Sequence, residues 1–205
     1  MTTPGKDELR LLGRATSGNV QKVVWLLEEL GLAYRREDYG RQFANTADAA
    51  YRALNPTGKV PTLIDGGRAI WESNTILRYL AATAKSPLYP ADAGRRSEIE
   101  RWTDWQLASL NAPYIAVFRE SRKAPSERVG NLATLGEPLA AELTLLDGAM
   151  GAWIGGETMS VADICLGPIV RRCLAFPIAL PALPRLRRWH ETIAARPAFA
   201  RAVGA

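Results

Sequence analysis

A serine and an asparagine lie in the segment Thr16-Ser17-Gly18-Asn19, between a predicted first strand and a predicted first helix. In an α/β sheet, ligands commonly bind in the crevice beyond the carboxyl ends of the strands. A hydroxyl at a helix N-terminus there can donate a hydrogen bond to a bound anion, or it can simply cap the helix. The only histidine of the chain is the distant His190. Ser17 therefore lacks the base that a hydrolase nucleophile requires.

Two further segments carry residue types that suit a small zwitterionic ligand. Pro61 interrupts the apolar run Val60-Pro61-Thr62-Leu63-Ile64 and removes a donor from the sheet ladder. We expect it at an edge, at a bulge or in a cis bond, and a cis bond would offer the backbone of Val60 to an extended ligand. Glu72 and Ser73 precede an apolar helical run. Ser73 can cap that helix, or the pair can meet an ammonium and a carboxylate.

The sequence offers no metal site and no cysteine pair. Cys165 and Cys173 are eight residues apart in one predicted helix, a rise of about 12 Å, which is too long for a disulfide. They are typical of buried, small hydrophobic residues. Ser160 and Asp163 match the capping-box pattern that begins a helix, so we interpret them as structural.

The predicted secondary structure changes near residue 85, from mixed strands and helices to helices alone. The first 84 residues predict the order β-α-β-α-β-β-α, with strands at 9–13, 33–39, 60–64 and 68–71 and helices at 20–30, 48–54 and 72–84. Residues 85–91 contain two prolines and are typical of a linker. The remainder predicts only helices, at 92–122, 127–150, 160–175, 184–196 and 197–203. We therefore predict an α/β domain over 1–84 and an all-helical domain over 92–205.

The composition, the hydrophobic pattern and the charge of the chain exclude several classes of protein. With 47% hydrophobic and 23% charged residues, the 205-residue chain can bury a core, which excludes a disordered protein. No apolar run approaches the roughly 20 residues of a membrane span, and the opening MTTPGKDELR carries charge where a secretory signal is apolar. The net charge of +5 is spread over both halves. We expect a cytoplasmic protein without nucleic-acid or membrane partners.

Six segments, in this order and together spanning nearly the whole chain, resemble the cytosolic glutathione S-transferases. The best resemblance is to the bacterial serine-type branch, akin to theta-like and phi-like enzymes. The segments are TSGNVQKVVWLLEELGL (16–32), NPTGKVPTLIDGG (55–67), WESNTILRYLAA (71–82), RWTDWQ (101–106), MSVADICLGP (159–168) and RWHETIAARPAF (188–199).

This resemblance implies a thioredoxin-like N-terminal domain that binds glutathione as co-substrate, and a helical C-terminal domain that supplies most of the electrophile pocket. It also implies a homodimer. Ser17 matches the residue that donates a hydrogen bond to the glutathione sulfur, and Asn19, within one turn, could share or replace that role. The remaining implied glutathione contacts are Val60 before a cis Pro61 for the cysteinyl part, Glu72 and Ser73 for the γ-glutamyl end, and Lys59 and Gln42 for the glycine carboxylate.

The sequence identifies the electrophile site less clearly than the glutathione site. The aromatic residues of the helix at 92–122 recur at a spacing that is also typical of a hydrophobic core. Trp105 and Tyr114 are our candidates for the pocket. Pro113 is expected to kink the helix between them. Arg78 and Asp104 are candidate charges of a dimer interface.

The implied activity is a transferase that activates glutathione as thiolate and adds it to a small hydrophobic electrophile. Two alternatives stay open. A glutathione-dependent peroxidase or disulfide reductase would use the same thiolate. A non-catalytic interaction module could retain the fold alone. No cysteine stands near the first helix, so routes that need a protein thiol are disfavoured.

Overall fold

The computed structural model describes residues 8–204 and begins with a four-stranded sheet flanked by helices. The predicted order β-α-β-α-β-β-α is confirmed. The segment MTTPGKD, on which the expectation about a secretory signal partly rests, lies outside the described residues. The strands are β1 (Leu9–Leu12), β2 (Tyr34–Glu37), β3 (Thr62–Asp65) and β4 (Arg68–Trp71), and the helices are α1 (Gly18–Leu30), α2 (Ala49–Leu54) and α3 (Ser73–Thr83).

The register of the sheet brings several loops to one end. The strand order is β2-β1-β3-β4, with β1 and β2 parallel and the other pairs antiparallel. Leu12 pairs with Glu37 on one side and with Thr62 on the other, and Thr62 pairs in turn with Trp71. The segments 13–17, 38–43, 55–61 and 72–73 therefore all adjoin the same end of the sheet.

Helix α1 forms because its apolar residues recur at a helical period and are buried, and it packs against α3 and against the last helix of the chain. Val20, Val23 and Leu27 are fully buried. Gly31 ends the helix in the left-handed conformation, with φ of +63°, and its N–H bonds to the carbonyl of Glu28.

The second part of the chain is helical, as predicted. The predicted helix over 92–122 is continuous but contains one π-helical turn, Gln106–Leu110, just before Pro113. Proline lacks an N–H and its ring crowds the carbonyl four residues earlier, so a widened turn is a physical consequence of Pro113. The helices are α4 (Ala93–Trp105), α5 (Asn111–Ser121), α6 (Leu132–Ala149), α7 (Val161–Leu174), α8 (Pro184–Ala194) and α9 (Pro197–Gly204).

The chain groups into two compact units, and the last helix belongs to the first of them. One unit contains the residues up to Tyr89 together with those from Ala195 onward, and the other is Pro90–Ala194. Phe199 on α9 meets Trp25 on α1 edge to face, with ring centroids 4.6 Å apart. Helix α9 joins the first unit because it packs on α1, and the domain bounds of 1–84 and 92–205 stay a prediction.

Ion pairs also hold the C-terminal residues against α1. Arg196 donates two hydrogen bonds to the carboxylate of Glu29, at 2.6 and 2.7 Å, and Arg201 donates one to Glu28 at 2.6 Å. Trp25 donates its indole N–H to Glu29 as well, at 2.8 Å. Burial alone would raise the pKa of Glu29, but the hydrogen bonds from Arg196 and Trp25 outweigh it and lower that pKa.

The capping box at the start of α7 is confirmed and reaches further than the sequence indicates. The Ser160 hydroxyl accepts from the N–H of Ala162, and the Asp163 carboxylate accepts from the backbone N–H and the hydroxyl of Ser160. Asp163 also accepts from the N–H of Ile154 at 2.9 Å and from the indole N–H of Trp189 at 2.8 Å. One buried carboxylate therefore joins α7, α8 and the loop before α7.

Replacing Asp163 by alanine should strongly destabilise the protein, because three N–H groups would lose a buried acceptor. We expect the free energy of unfolding to fall by about 3–5 kcal/mol for Asp163→Ala and by about 1 kcal/mol for Ser160→Ala, measured by urea denaturation. The matched control is Asp92→Ala, which removes an exposed cap of α4 that accepts from Arg95 N–H at 2.8 Å. Similar losses for Asp163→Ala and Asp92→Ala would contradict the wider role of Asp163.

A pH-dependent contribution is expected from the ion pair between β1 and β2. Arg10 donates two hydrogen bonds to Glu37, at 2.6 and 2.9 Å, and this pairing lowers the pKa of Glu37. A lowered folded-state pKa stabilises the protein above the unfolded-state pKa, and the stabilisation is lost as pH falls through the folded-state pKa. Glu37→Gln should therefore cost up to about 1 kcal/mol at pH 7 and about nothing near pH 2.

Urea denaturation at several pH values checks this expectation. Asp48→Asn is the control for loss of one carboxylate, since Asp48 is exposed and its side chain makes no cap hydrogen bond. A cost of Glu37→Gln that stays constant down to pH 2 would show that the pair stabilises by packing and not by charge.

Candidate active site

Ser17 occupies the N-cap position of α1 without capping the helix. Its backbone is extended and its carbonyl accepts from the N–H of Gln21 at 2.9 Å, as at the start of any helix. Its side chain is buried, with 7% of the residue exposed, yet it accepts no hydrogen bond from the helix N–H groups. The Ser17 hydroxyl therefore makes no hydrogen bond to α1, and helix capping does not account for a serine at this position.

The first turn of α1 is electrostatically suited to an anion. It contains no acidic residue, and its N–H groups form the positive end of the helix dipole. Asn19 lies in this turn with an exposed side chain. The structure thus places both predicted sulfur contacts, Ser17 and Asn19, at one helix N-terminus.

The loop before Val60 is held by a buried hydrogen-bond network that the sequence did not reveal. Tyr51 and Asn55 both donate to the carbonyl of Lys59, at 2.6 and 2.9 Å. Each of them also bonds to the hydroxyl of Thr62, at 2.9 and 3.0 Å. Thr57 donates to the Asn55 side-chain oxygen through its N–H at 3.1 Å and its hydroxyl at 2.7 Å. Burial raises the pKa of Tyr51, so its hydroxyl keeps its proton.

The peptide bond between Val60 and Pro61 is cis, as one of the sequence alternatives predicts. Val60 lies close to the backbone of Gly13 and Gly40. If either glycine carried a Cβ atom, that atom would lie 3.3 Å from Val60 Cβ in the case of Gly13 and 3.4 Å from Val60 Cγ1 in the case of Gly40. The Cβ on Gly40 would also meet Arg14 Nη1 at 3.0 Å. A Cβ on Gly13 would also come within 2.5 Å of Val20 Cγ2, and Gly40 has φ of +84°, so both positions favour glycine.

The start of α3 lies beside a buried lysine. Ser73 is almost fully buried, and its hydroxyl is 3.5 Å from the side-chain oxygen of Asn74. Lys22, fully buried on α1, donates to the same oxygen at 3.3 Å. Glu72 is exposed and has φ of +67°, which is rare for a residue with a side chain. Such backbone conformations cost about 1–3 kcal/mol and cluster at functional sites.

The two remaining predicted glutathione contacts lie at the same end of the sheet. Lys59 directly precedes Val60, and Gln42 follows Gly40 in the 3-10 turn Arg41–Phe43. Both side chains are exposed. All predicted residues of the glutathione site therefore fall in the first compact unit, around the loops that leave one end of the sheet. Their individual roles stay predictions.

The two predicted electrophile contacts belong to separate aromatic clusters. Trp105 donates its indole N–H to Glu142 on α6 at 3.0 Å and meets Trp102 edge to face, with centroids 5.5 Å apart. Tyr114 stacks on Phe118 with centroids 5.7 Å apart. The pocket role of both residues stays a prediction.

Three residues around the site escaped the sequence reasoning. Asn55 carried a signal, since the turn Asn55-Pro56-Thr57-Gly58 was predicted and asparagine commonly bonds to the backbone two residues on. The sequence carried no signal for the role of Tyr51 beyond its place in a short helix. The sequence carried no signal for the role of Lys22 either, because the ammonium group of a lysine among apolar residues usually reaches solvent.

Metal chemistry and protein-thiol chemistry find no support in the part of the chain that the structure describes. Across residues 8–204, no three His, Cys, Asp or Glu side chains are grouped as metal ligands. Cys165 and Cys173 are both free and buried on α7, and burial raises the pKa of Cys173 to about 12. In the same residue range, no helix is both long enough and apolar enough for a membrane span.

Comparison with known proteins decides the family. The model of the glutathione S-transferase N-terminal domain matches residues 16–83, and that of the C-terminal domain matches residues 112–197. Glutathione S-transferase GstB of Escherichia coli is 33% identical over 202 residues, covering 95% of this chain and 97% of the relative. The chain belongs to the glutathione S-transferase family.

Two other proteins are similar to this glutathione S-transferase over most of its length. The theta-class enzyme of Xanthomonas axonopodis pv. citri, solved with glutathione bound, matches with a TM-score of 0.87 and 36% identity over 97% of this chain and 98% of that chain. The disulfide-bond oxidoreductase YfcG of Escherichia coli is 29% identical over 207 residues, 92% of each protein. The predicted thioredoxin-like and helical fold of the family is confirmed.

Breaking the Asn55 network should destabilise this transferase, since Asn55→Ala removes two donors and two accepted hydrogen bonds from a buried site. We expect the free energy of unfolding to fall by about 2–4 kcal/mol, measured by urea denaturation. Asn19→Ala is the matched control and should change it by less than about 0.5 kcal/mol, because Asn19 is exposed. Equal effects of the two substitutions would refute the role assigned to the network.

Proposed function

We propose that this protein is a glutathione transferase that binds glutathione around the N-termini of α1 and α3 and activates its thiol as thiolate. The thiolate then attacks a small hydrophobic electrophile. The observation that carries the proposal is the buried hydroxyl of Ser17, which stands at the start of α1 and is not bonded to the helix.

The energies of this arrangement suffice for thiol activation. A thiol with a pKa near 8.5 is only a few per cent thiolate at pH 7. Lowering that pKa by about two units requires about 2.7 kcal/mol of preference for the anion. A charge-assisted hydrogen bond from Ser17 offers about 1.5–3 kcal/mol, and the N-terminus of α1 adds about 0.3–1 kcal/mol. No general base is needed, since Ser17 acts as a donor and keeps its proton.

The remaining groups of the site match the charges of glutathione. The exposed carboxylate of Glu72 suits the γ-glutamyl ammonium. The N-terminus of α3 at Ser73, with the buried ammonium of Lys22 beside it, suits the γ-glutamyl carboxylate. The backbone of Val60 suits the cysteinyl peptide groups, and the exposed Lys59, with Gln42, suits the glycine carboxylate. The glutathione bound in the theta-class structure supports glutathione as the ligand, and the contacts of the individual residues are part of the proposal.

The electrophile is proposed to contact Trp105 and Tyr114. Since the indole N–H of Trp105 is already donated to Glu142, Trp105 can offer only apolar surface. In a substitution, the glutathione sulfur forms a bond to the electrophilic carbon, and the leaving group departs with the electron pair of its bond. The thiol proton passes to solvent before attack.

The similarity to the disulfide-bond oxidoreductase YfcG supports a second candidate function, reduction of disulfides. Reduction of hydroperoxides would use the same thiolate. The thiolate would attack one sulfur of a disulfide and expel the other as thiolate. The thiolate of a second glutathione would then attack the glutathionyl sulfur of the mixed disulfide, which forms glutathione disulfide and expels the other substrate sulfur as thiolate. The same Ser17 serves this route, and it needs no protein thiol. The product distinguishes the two functions: a glutathione conjugate for transfer, glutathione disulfide for reduction.

We further propose that the protein acts as a cytoplasmic homodimer, with Arg78 and Asp104 as interface charges, and takes part in detoxification. The non-catalytic alternative is disfavoured because Ser17, Val60, Glu72 and all other implied glutathione contacts are present. Light scattering of the purified protein tests the dimer.

Substitution of Ser17 should raise the pKa of bound glutathione. We expect the ultraviolet thiolate absorbance of the complex to titrate near pH 6.5, about two units below the free thiol, and about 1–2 units higher in Ser17→Ala. Ser17→Thr, which keeps a hydroxyl, should retain most of the depression. Asn19→Ala should change the pKa by only a few tenths of a unit.

Each other outcome is informative. A larger shift in Asn19→Ala than in Ser17→Ala would transfer the sulfur contact to Asn19. A protein that fails to bind glutathione at millimolar concentration would refute the proposed function and favour the non-catalytic alternative.

A further inference from the structure

The carbonyl oxygen of Lys59 accepts hydrogen bonds from two buried side chains of a single element. Tyr51 on α2 donates its hydroxyl to this oxygen at 2.6 Å, and Asn55, the C-terminal cap of α2, donates an amide N–H at 2.9 Å. Tyr51 and Asn55 are both almost fully buried. Because both donors come from α2 and its cap, the direction of the Lys59 carbonyl is set from the interior of the unit.

The Lys59 carbonyl belongs to the same peptide group as the N–H of Val60. The peptide bond between Lys59 and Val60 is trans, unlike the next one along the chain. In a planar trans peptide group the C=O and the N–H point in opposite directions. The N–H of Val60 therefore points away from Tyr51 and Asn55, and the two side chains set its direction through the carbonyl of Lys59.

The backbone of Val60 is suited to an extended ligand. Across residues 8–204, neither the N–H nor the carbonyl oxygen of Val60 makes a hydrogen bond, although the residue is half-buried. Backbone groups away from bulk water are nearly always paired, and an extended peptide ligand supplies both an acceptor and a donor. The direction of the Val60 N–H therefore matters for binding.

We propose that Tyr51 is a positioning residue for glutathione. With Asn55 as the second donor, it holds the Lys59 carbonyl so that the N–H of Val60 points at the carbonyl oxygen of the cysteinyl residue of glutathione. The role rests on the proposed function, because it takes Val60 as the contact of the cysteinyl part. Tyr51 acts through the Lys59–Val60 peptide group and does not contact the ligand itself.

This role predicts an effect on glutathione affinity that is separate from thiol activation. Without the Tyr51 hydroxyl, the Lys59 carbonyl loses one of its two hydrogen bonds, and the peptide group can rotate. The hydrogen bond from the Val60 N–H to glutathione is then weakened. Ser17 and the N-terminus of α1 are unchanged, so the pKa of the bound thiol should stay as in the wild type.

Isothermal titration calorimetry of Tyr51→Phe tests the proposal. The substitution keeps the ring, which stacks on Tyr39 with centroids 5.1 Å apart, and removes only the hydroxyl. We expect Kd for glutathione to rise about fivefold, the effect of one hydrogen bond of ordinary strength. The pKa of the bound thiol, followed by its ultraviolet thiolate absorbance, should change by less than about 0.2 units.

A matched pair of ligands isolates the cysteinyl carbonyl. γ-Glutamylcysteinamide has this carbonyl and γ-glutamylcysteamine lacks it, and neither has the glycine carboxylate that Lys59 and Gln42 are proposed to bind. In Tyr51→Phe, Kd should rise about fivefold for γ-glutamylcysteinamide and less than twofold for γ-glutamylcysteamine. Equal losses for the two ligands would show a general disturbance of the site and would overturn the proposal.

Two further variants make the test specific. Tyr79→Phe removes a hydroxyl of the same unit that donates to Asp65 at 2.7 Å, at the far end of β3, and it should leave Kd for glutathione unchanged. Asn55→Ala removes the second donor to the Lys59 carbonyl and should show the same selective loss as Tyr51→Phe. A loss in Tyr79→Phe as large as in Tyr51→Phe would also overturn the proposal, as would a rise of the bound-thiol pKa as large as in Ser17→Ala.

A measurement without ligand separates this inference from the function on which it rests. NMR relaxation of the Val60 amide should give an order parameter of about 0.85 in the wild type, falling toward about 0.6 in Tyr51→Phe. If it falls but the wild type does not bind glutathione at millimolar concentration, the transferase function fails, and Tyr51 still orients this peptide group. If wild type and Tyr51→Phe bind glutathione equally and the order parameter is unchanged, the positioning role fails and the transferase function stands.

Discussion

Thr62 pairs across the sheet with both Leu12 and Trp71, and its hydroxyl is bonded to Tyr51 and Asn55. Tyr51 gives its one hydroxyl hydrogen to the carbonyl of Lys59, so the Thr62 hydroxyl must be the donor to Tyr51. The amide of Asn55 then supplies its two hydrogens to Lys59 and Thr62. Every donor of this buried network is used. A slip of one residue in β3 would turn the hydroxyl of Thr62 to the other face and break the network.

The rest of the site depends on that register. The ends of β1 and β4 meet the start of β3 only when Thr62 lies between Leu12 and Trp71. The loops that carry Ser17, Val60 and Ser73 then converge, and the glycines at 13 and 40 allow the close approach. No side chain of the candidate site has to create this geometry itself. The site residues are therefore free to differ in chemistry while the sheet and its buried network keep them in place.

Sequence reasoning succeeded where a local pattern allows only a few physical outcomes. The proline within an apolar run, the capping box of Ser160 and Asp163 and the alternation of strands and helices are such patterns, and the structure confirms them. It missed contacts between residues far apart in sequence. Lys22 meets Asn74, 52 residues away, and Arg196 meets Glu29, 167 residues away. No periodicity encodes these partners, because each depends on where two complete elements pack.

Two serines at helix N-termini differ in whether their side chains cap the helix. Ser160 is followed three residues later by Asp163, which holds the hydroxyl in the cap. Ser17 is followed at that distance by Val20, which offers no such partner. An unmade cap costs a helix about 1 kcal/mol. Helix α1 is stabilised instead at its other end, where Phe199 and Arg196 pack on Trp25 and Glu29. The packing of these residues stabilises α1 at the end away from Ser17, whose hydroxyl makes no hydrogen bond to the helix.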